Sequence, residues 1–421
     1  MALAVENRPW VPSSQPGRSS FPPNGQRFRS SMSGPQPALS RPRVVHFTTV
    51  HRPDDVRIFR KECRTLAAAG YDVVLVAPGA PDLTVEGVRY HPISPMPNRF
   101  LRLLSGGWKA FSAARAERAA IYHFHDPELL PVGLLLRMIG KRVIWDVHED
   151  VPGQVLSKYW IPPLLRRPVA WLVNGIQRVS VRAFSGVVAA GNDIADLLGG
   201  RGITVLRNFP MLEEFEGSTG RLYEERPPLL LHVGNLGRIR ATRELVSALD
   251  LIPDRYGIEL VLAGSFVDDG VEAETRALPG WARVRYWGWS SRAQIANGLA
   301  RGRAGVVLLY PEPNHMQVRS NRLFEYLAAG LPVVASDLPA WRAIVSELDC
   351  GVLVNPLDPQ SIANGIMWLL DHPAEAERMG ERGRRAVLER FNWQEESQGL
   401  LHLYHRILSP ESPNTHEVRP E

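Results

Sequence analysis

Short β-branched runs alternate with helix-length segments along most of this chain, and that alternation strongly limits the folds open to it. Such a series predicts parallel strands joined by helical crossovers, with helices on both faces of the sheet. The first series is predicted to place its strands at 44–48, 73–77, 121–124, 143–146, 187–190 and 203–206. We therefore expect an α/β fold in which the first half forms one doubly wound sheet.

A stretch rich in proline and glycine at 207–228 interrupts the alternation, and a second series follows it. Its strands are predicted at 229–233, 259–263, 284–287, 305–309, 332–336 and 351–354. Two Rossmann-like halves result. Because open α/β sheets bind ligands beyond the carboxyl ends of their strands, we expect the two halves to face one shared cleft.

The 421 residues divide into five predicted segments. Residues 1–40 are rich in proline and serine and lack the apolar block of a signal peptide, so we expect a disordered extension. An N-terminal Rossmann-like domain at 41–208 and a C-terminal Rossmann-like domain at 209–392 follow. A helix at 393–408 is free to cross back to the N-terminal domain, and 409–421 form a tail.

Composition excludes several other classes of protein. Hydrophobic residues make up 44% and charged residues 22% of the chain, as in soluble globular proteins. No run approaches the ~18 consecutive apolar residues that a spanning helix needs. Cys63 and Cys350 fall in different halves, which argues against a disulfide framework and fits a reducing cytosol. The net charge of +5 suits an anionic partner, but the basic residues form no recognisable nucleic-acid-binding module.

Two polar clusters follow neighbouring predicted strands of the first half. His123 and His125 belong to YHFHDPE, and Asp146, His148 and Glu149 belong to WDVHED. Three interpretations are open: metal-free chemistry at His125 and His148, a metal site that includes the His-x-His pair, or helix capping. We favour the metal-free chemistry. The chain contains no Asp-x-Asp pair, so a magnesium–nucleotide chelate of that type is not evident.

A third polar cluster, HRPDDVR at 51–57, follows the first predicted strand and so reaches a strand end as well. The glycine-rich phosphate fingerprint of a dinucleotide site is absent from this turn, which argues against an oxidoreductase.

In the second half, HVGNLGRIRAT connects the first predicted strand to a helix. Gly234 and Gly237 permit close approach of the backbone, while Arg238 and Arg240 add guanidinium groups suited to phosphate oxygens. A diphosphate is the natural ligand of such a turn. The alternative is an exposed basic turn.

The stretch at 311–341 is the most specific of the chain. Its polar loop ends at Ser320 and Asn321, which can cap a helix that ends at Gly330. Glu325 then lies about one turn into the helix, where a carboxylate can accept both hydroxyls of a ribose while the helix N-terminus receives phosphate charge. A solvated helix glutamate is the alternative.

Two segments mix basic with aromatic and aliphatic residues in a way that suits the surface of an anionic bilayer. The first includes Arg99, Phe100, Leu101, Arg102, Trp108, Lys109, Phe111, Arg115 and Arg118, and the second includes Lys158, Tyr159, Trp160, Leu164, Arg166, Arg167, Trp171 and Leu172. Ordinary helix packing with solvated charges is the alternative interpretation.

From about residue 43 to 408 the chain resembles the family 4 glycosyltransferases of the GT-B fold, of the type found in bacterial surface-polysaccharide assembly. The matching stretches are HFTTVHRPDDVRIFRKECRTLAAAGYDVVLVAPG, IYHFHDPELLPVG, VIWDVHEDVP, HVGNLGRIRATRELVSAL and PNHMQVRSNRLFEYLAAGLPVVASDLPAWRAIV. The resemblance implies an acceptor domain in the N-terminal half and a nucleotide-sugar domain in the C-terminal half.

The resemblance also implies roles for single residues. His125 resembles the histidine that contacts the donor sugar, and His148 resembles a neighbour on the acceptor side. Arg238 and Arg240 lie where the family holds basic residues against the donor diphosphate. Glu325 resembles the glutamate that binds the ribose.

Further site residues follow from the same comparison. Backbone N–H groups of Leu323 and Phe324, near the helix start at Asn321, are expected to face the phosphates, with Gly234 in the same donor site. The residues expected on the acceptor side are Asp55, Arg57, Asp146 and Glu149.

One position departs from the family pattern. The family has a second glutamate eight positions before Glu325, and this chain has Gln317 there. Glutamine can still hydrogen-bond a sugar hydroxyl but carries no charge. Family members retain the anomeric configuration, so we expect retention through front-face displacement with a stabilised leaving group.

We therefore expect a metal-independent hexosyltransferase that uses a UDP- or GDP-sugar and a lipid-linked saccharide acceptor in polysaccharide biosynthesis. We expect the protein to be cytoplasmic and to bind peripherally to the inner face of the plasma membrane. We expect no nucleic-acid partner. Two other functions stay open: a metal-dependent hydrolase that uses His123, His125 and His148, and a non-catalytic nucleotide-sugar-binding partner subunit. The sequence does not specify the oligomeric state.

Overall fold

The structure is a computed structural model that describes residues 41–96, 105–158, 161–215, 223–312, 315–316 and 320–409. The expected disordered extension at 1–40, nearly all of the tail and the departing position Gln317 lie outside the described residues. So do Arg99, Phe100, Leu101, Arg102, Tyr159 and Trp160 of the two basic segments.

Eight strands form the sheet of the first half. They are β1 (Arg43–Phe47), β2 (Asp72–Pro78), β3 (Thr84–Val85), β4 (Val88–Ile93), β5 (Ile121–Phe124), β6 (Arg142–Val147), β7 (Gly186–Ala189) and β8 (Ile203–Val205). Their order is β3-β4-β2-β1-β5-β6-β7-β8, and each neighbouring pair is parallel except β3 and β4.

Six parallel strands form the sheet of the second half. They are β9 (Leu229–Val233), β10 (Glu259–Ala263), β11 (Val284–Gly288), β12 (Ala304–Val307), β13 (Val333–Ser336) and β14 (Gly351–Val354), in the order β11-β10-β9-β12-β13-β14. In both sheets the strand order reverses beside the first strand, as expected for doubly wound folds. The expected α/β architecture of two Rossmann-like halves is confirmed.

Helices cover both sheets. In the first half they lie at Val56–Cys63, which is π-helical, and at Arg64–Ala68, Gly107–Ala116, Leu130–Met138, Val151–Ser157, Pro163–Val181 and Asn192–Leu198. In the second half they lie at Thr242–Asp250, Asp269–Arg276, Arg292–Arg301, Asn321–Ala328, Pro339–Leu348, Pro359–Asp371 and Pro373–Glu389. Within the described residues, no helix combines the length and the apolarity that crossing a bilayer requires.

The last helix, Trp393–Leu408, packs on the sheet of the first half. Its buried residues Leu400, Leu403 and Tyr404 share one apolar cluster with Val44 and Ile121. Its Trp393 donates from its indole N–H to the hydroxyl of Thr65 at 2.9 Å. The chain thus returns from the second half to close the core of the first.

The strand β4 was not expected from the sequence. Its residues Val88–Ile93 include Pro92, and a proline lowers the apparent strand propensity of a run. The strand nevertheless pairs with β2 on one side, and on the other side it has only the two-residue β3 as a neighbour. A proline is tolerated there because the outer backbone groups of β4 are largely unpaired.

Candidate active site

The carboxylate of Asp146, at the end of β6, is the centre of a buried polar network in the first half. Arg57 holds both of its oxygens through a guanidinium fork, with Nε and Nη2 at 2.9 and 2.8 Å. Nδ1 of His125 and Nε2 of His148 approach Oδ2 to 3.1 and 2.5 Å. Burial acts to raise the pKa of Asp146, but the charges of Arg57 and His148 hold it well below its usual value. Asp146 is therefore an ionised group that orients two histidines.

The two histidines expected to be catalytic differ in how far they reach solvent. His125 is buried, and its Nε2 lies 3.0 Å from Nδ1 of His46, so both of its ring nitrogens have partners inside the protein. Burial lowers the pKa of His125 to about 4, so its ring is neutral at pH 7. His148 keeps 15% of its side chain exposed. Of the two, His148 offers the accessible ring.

Metal-ligating side chains meet at two places in this network. The ligand atoms within 4.8 Å of one another belong either to His46, Glu62, His123 and His125 or to His125, Asp146 and His148. Protein groups already use most of these atoms: Nδ1 of His123 lies 2.9 Å from the hydroxyl of Tyr404, and Arg57 takes both oxygens of Asp146. The group of His125, Asp146 and His148 is therefore engaged in hydrogen bonds, whereas both oxygens of Glu62 and Nε2 of His123 are buried without a hydrogen-bond partner among the described residues.

Helix capping falls on neighbouring aspartates rather than on the histidines. Oδ1 of Asp55 accepts the N–H groups of Arg57 and Ile58, both at 2.9 Å, and so begins the π-helical segment. Asp55, expected on the acceptor side, is thus engaged by the helix start. Glu149 lies at the surface, where Gln154 donates to it at 2.5 Å.

A second carboxylate–histidine pair lies beside the first one. Nδ1 of His51, in the turn after β1, lies 2.9 Å from Oδ1 of the buried Asp126, which follows β5. The rings of His51 and His148 are 5.5 Å apart and meet edge to face. We expected a role for the cluster at 51–57 but not for His51 itself. The role of His51 depends on the pairing of β1 with β5, because that pairing brings the residues after the two strands together.

In the second half, the turn after β9 brings backbone and guanidinium groups together. Gly234 has a φ of +127°, and a Cβ placed on Gly264 would lie 1.8 Å from its carbonyl oxygen, so the close approach of the two turns requires glycine. A Cβ placed on Gly234 itself would lie 3.8 Å from Nε of Arg322. The glycine therefore leaves room beside this arginine.

Arg240, rather than Arg238, is drawn into this turn. Burial lowers the pKa of Arg240, and the charge of Arg322 lowers it further. No carboxylate of the described residues forms an ion pair with Arg240, whereas Arg238 is exposed. Two guanidinium groups thus act on each other beside a glycine turn, which is an arrangement that a bound anion would stabilise.

Arg322 was missed by the sequence analysis. It occupies the first turn of the helix Asn321–Ala328, where a cation opposes the helix dipole, and that unfavourable position was the available signal. Ser320 makes no side-chain cap bond. The N–H of Leu323 donates to the carbonyl of Ser320 at 3.2 Å, and the side chains of Leu323 and Phe324 pack in the core.

Glu325 is buried rather than solvated, and arginines occupy both of its oxygens. Nη1 of Arg292 lies 2.7 Å from Oε1, and Arg322 pairs with Oε2. Arg292 also pairs with Glu214, which lies in the connection between the two sheets. Burial acts to raise the pKa of Glu325, but the charges of Arg322 and Arg292 hold it below its usual value. A ribose would have to replace one arginine at this carboxylate.

The two halves meet next to this carboxylate. Lys61, from the π-helical segment, donates to the carbonyl of Asn208 at 3.1 Å. Burial lowers the pKa of Lys61 to about 7, and the charge of Glu325 partly opposes that effect. Groups of both halves therefore act on each other electrostatically.

Two family models match this chain. The model described as glycosyl transferases group 1 matches residues 220–386, and the model described as Glycosyltransferase Family 4 matches residues 56–208. The first match covers the whole second sheet, and the second covers the first sheet except β1 and the turn that carries His51.

Three known proteins show the extent of the similarity. The chain is 24% identical over 371 residues to the glycogen synthase of Mycobacterium tuberculosis (strain ATCC 25618 / H37Rv), covering 80% of this chain and 87% of that protein. It is 25% identical over 365 residues to the phosphatidyl-myo-inositol mannosyltransferase of Mycobacterium leprae, covering 81% and 90%. A solved structure of Anabaena Alr3699/HepE in complex with UDP-glucose has a TM-score of 0.64 and 15% identity, covering 86% and 99%.

Proposed function

The chain is a family 4-like glycosyltransferase of the GT-B fold, and we propose that it transfers a hexosyl group from a nucleotide sugar to a saccharide hydroxyl with retention of the anomeric configuration. The observation that carries the proposal is the pair of guanidinium groups, Arg240 and Arg322, beside the turn at Gly234. The diphosphate of the donor supplies an anion for Arg240, which has no carboxylate partner among the described residues, and a second one for Arg322, which pairs with Glu325. HepE, a protein of similar fold, binds UDP-glucose.

The donor diphosphate is also the leaving group, so the same cations act on the reaction. As the bond between the anomeric carbon and the phosphate oxygen breaks, negative charge grows on the diphosphate, and fixed positive groups stabilise it. Arg322 stands between the glycine turn and Glu325. When the ribose takes an oxygen of Glu325, the guanidinium of Arg322 is released toward the phosphates.

The acceptor binds on the first half in this proposal. There His148, oriented by Asp146, presents an accessible ring at the carboxyl end of β6, and the neighbouring His51 presents one in the turn after β1. His125 supports this surface from behind because its nitrogens are bonded to Asp146 and His46. No metal ion is required, since cationic side chains supply the charge that stabilises the leaving group.

A lipid-linked acceptor accounts for the unusual helix Pro163–Val181. It turns polar side chains inward, including Gln177 and Ser180, and leaves large apolar side chains in solvent. Those exposed by half or more are Leu164, Leu165, Trp171, Leu172 and Val179, with Leu164 at 91% and Trp171 at 78%. Arg166, Arg167, Arg178 and Arg182 flank this face. An apolar face with a basic border fits the surface of an anionic bilayer, on the cytoplasmic side.

Nucleotide release tests the transferase directly. Purified protein is incubated with UDP-, GDP- or ADP-sugars and a membrane lipid extract, with and without EDTA. We expect release from one donor that persists in EDTA and falls at least about 10-fold in Arg240→Gln. The matched control is Arg285→Gln, which removes an exposed arginine of β11 that pairs with Glu259 of β10. We expect this variant to keep full release.

The same assay separates the two other functions. Release that needs no acceptor and disappears with EDTA would support a metal-dependent hydrolase that uses His123, His125 and His148. Tight nucleotide binding without release from any donor would support a non-catalytic nucleotide-sugar-binding subunit.

A further inference from the structure

We propose that Arg292, anchored by Glu214, is a positioning residue that holds Glu325 for the ribose of the donor and so makes the site specific for ribonucleotides. This inference rests on the proposed function and deepens it, because it names the groups that orient the ribose-binding carboxylate. Glu214, Arg292 and Glu325 together are called the ribose network below.

Arg292 joins two carboxylates that are far apart in the sequence. It begins the helix Arg292–Arg301, and its Nη1 donates to Oε1 of Glu325 at 2.7 Å. Its Nε lies 3.4 Å from Oε1 of Glu214, and its Nη2 donates to Oε2 of the same residue. A planar guanidinium that is held on two sides cannot turn without losing one of its carboxylates.

The ribose network is largely shielded from water. The side chains of Glu325, Glu214 and Arg292 are 9, 13 and 20% exposed, and ion pairs in such a setting are screened less than exposed ones. Arg60 of the first half lies 4.0 Å from Oε1 of Glu214, at the limit of an ion pair, so Arg292 is the main partner of Glu214. Burial acts to lower the pKa of Arg292, but the charges of Glu325 and Glu214 raise it above its usual value. Arg292 therefore stays charged and keeps both partners.

Arg322 holds the same carboxylate less firmly. It pairs with Oε2 of Glu325, and among the described residues it forms an ion pair with no other carboxylate. Its side chain is 30% exposed, and its place in the first turn of its helix opposes the helix dipole. A ribose hydroxyl therefore replaces Arg322 at lower cost than Arg292, because Arg322 gives up one ion pair and gains the diphosphate. Arg292 stays and holds Oε1.

Glu214 is a fixed support because the connection between the two sheets is built into the core of the second half. Phe209 and Phe215, on either side of Glu214 in the sequence, are buried in the same apolar cluster as Phe324. The ring centroids of Phe209 and Phe324 are 4.7 Å apart, and Phe324 directly precedes Glu325. The two carboxylates of the ribose network therefore extend from one packed core.

A carboxylate that is held at one oxygen presents the other in a defined direction. Oε2 of Glu325 can then accept the hydroxyls of a ribose, and a hydrogen bond to an ionised group is stronger than one between neutral groups. A 2′-deoxynucleotide lacks one of these hydroxyls. The ribose network should therefore favour ribonucleotides over their 2′-deoxy forms, and loss of Arg292 or Glu214 should reduce that preference.

The experiment compares nucleotides that differ only at the 2′ position. Calorimetry on the full-length chain gives the Kd of UDP and 2′-deoxy-UDP, and of GDP and 2′-deoxy-GDP. The ratio of the two Kd values removes what the base and the diphosphate contribute equally to both. The variants are Arg292→Gln, Glu214→Gln and their combination, and Glu325→Gln is the reference for loss of the carboxylate itself.

The matched control is Arg382→Gln. Arg382 also bridges two carboxylates, Glu375 at 2.7 Å and Asp349 at 2.8 Å, and its side chain is 27% exposed. Asp349 precedes β14, so it lies at the end of the parallel sheet opposite to the turn after β9. This variant loses a similar set of ion pairs away from the ribose site and measures what a purely structural loss does to the ratio.

We expect wild type to bind the ribonucleotide about 10-fold or more tightly than its 2′-deoxy form, as a hydrogen bond to a charged group predicts. The ratio should fall below about 3-fold in Arg292→Gln and in Glu214→Gln. The double variant should add little to either single change, because both act on Glu325 through one guanidinium. Arg382→Gln should keep the wild-type ratio.

A second variant covers the case in which Arg292→Gln does not fold. Arg292→Lys keeps the charge, but an ammonium group cannot contact two carboxylates through a planar fork. Its ratio should therefore also fall below that of wild type. A ratio that stays at the wild-type value in Arg292→Lys and in Glu214→Gln would contradict the positioning role.

The outcomes separate this inference from the proposed function. Unchanged ratios in the variants of Arg292 and Glu214, beside a wild type that prefers ribonucleotides, overturn the positioning role and leave the transferase standing. A wild type that binds the ribo and deoxy forms equally overturns the inference as well, while nucleotide release from a donor still supports the transferase. A wild type that releases no nucleotide from any donor overturns the proposed function.

Discussion

The hydroxyl of Tyr404 lies 2.9 Å from Nε2 of His46, although 358 residues separate the two along the chain. The same hydroxyl lies 2.9 Å from Nδ1 of His123, and Nδ1 of His46 lies 3.0 Å from His125. His125 donates from Nδ1 to the ionised Asp146, so its Nε2 must accept. This fixes the direction of the other three hydrogen bonds in the chain. His123 donates to Tyr404, Tyr404 to His46, and His46 to His125. The last helix is thereby hydrogen-bonded into the chain of histidines that ends at Asp146.

Replacing Tyr404 by phenylalanine should destabilise the protein. The change removes the bridging hydroxyl and leaves Nε2 of His46 and Nδ1 of His123 buried without a partner. We expect the free energy of unfolding to fall by about 2 kcal/mol, measured by urea denaturation. The control is Tyr71→Phe, because Tyr71 packs edge-on against Tyr404 and no described residue hydrogen-bonds to its hydroxyl. Equal losses in the two variants would contradict the bridging role.

Glu62 should make the protein less stable at alkaline pH. Burial raises its pKa well above the usual value, and the charge of Asp146 acts in the same direction, while the charge of Arg57 opposes them. A carboxyl group whose pKa is higher in the folded than in the unfolded state binds its proton more tightly when the protein is folded. The protein therefore becomes less stable as the pH rises above the pKa of the unfolded state. We therefore expect Glu62→Gln to match wild type at pH 4 and to exceed it by about 1 kcal/mol or more at pH 8.

The control for Glu62 is a glutamate with the opposite shift. Hydrogen bonds from Arg89 and His91 lower the pKa of Glu117, even though burial acts against them. Its ionised form therefore stabilises the fold above the unfolded pKa, and Glu117→Gln should lose stability at pH 8. Denaturation midpoints at pH 4 and 8 for both variants check the sign, and a Glu62→Gln variant that loses stability at pH 8 would contradict the assignment.

The two-sheet fold could be predicted from the sequence because β-branched runs mark buried parallel strands. Predicted strands such as 121–124 and 229–233 match β5 and β9 to the residue. Strand β4, which has only the two-residue β3 on its outer side, could not be predicted in the same way, since its proline and its polar residues carry no such pattern. Periodicity reports burial, and β4 is only partly buried.

The candidate site was predicted in its location but not in its contacts. Position at strand ends identified Asp146 and His148, and a glycine turn identified Arg240. Which histidine faces solvent depends on packing: His125 is enclosed by His46, which comes from another strand. The pairing of Glu325 with Arg292 joins residues 33 positions apart. Local sequence contains no signal for contacts of this kind.

Arg240 and Arg322 should contribute more to nucleotide binding than Arg238. The first two act on each other beside Gly234, whereas Arg238 is exposed. Each lost charge-assisted hydrogen bond to phosphate weakens binding by about 10-fold or more, so Arg240→Gln and Arg322→Gln should each raise the Kd of UDP or GDP to that extent. Arg238→Gln should change it less than about 3-fold, since exposed charges are screened. Calorimetry measures all three, and a larger effect of Arg238→Gln would reverse the assignment.

The exposed face of the helix Pro163–Val181 should bind anionic membranes. Trp171 and Leu172 occupy the middle of its apolar stripe, so Trp171→Ser combined with Leu172→Ser removes the area that would enter the bilayer. We expect cosedimentation with vesicles of phosphatidylglycerol and phosphatidylcholine to fall by about 10-fold or more, because burial of each large apolar side chain contributes 1.5–3 kcal/mol. Release of nucleotide with a water-soluble acceptor should persist. Leu388→Ser, at a half-exposed leucine of the second half, is the control and should bind vesicles as wild type does.

If the double variant and wild type cosediment equally, the exposed face of this helix does not bind membranes. A smaller oligomer of the double variant on gel filtration would then identify the face as a contact between copies of the chain.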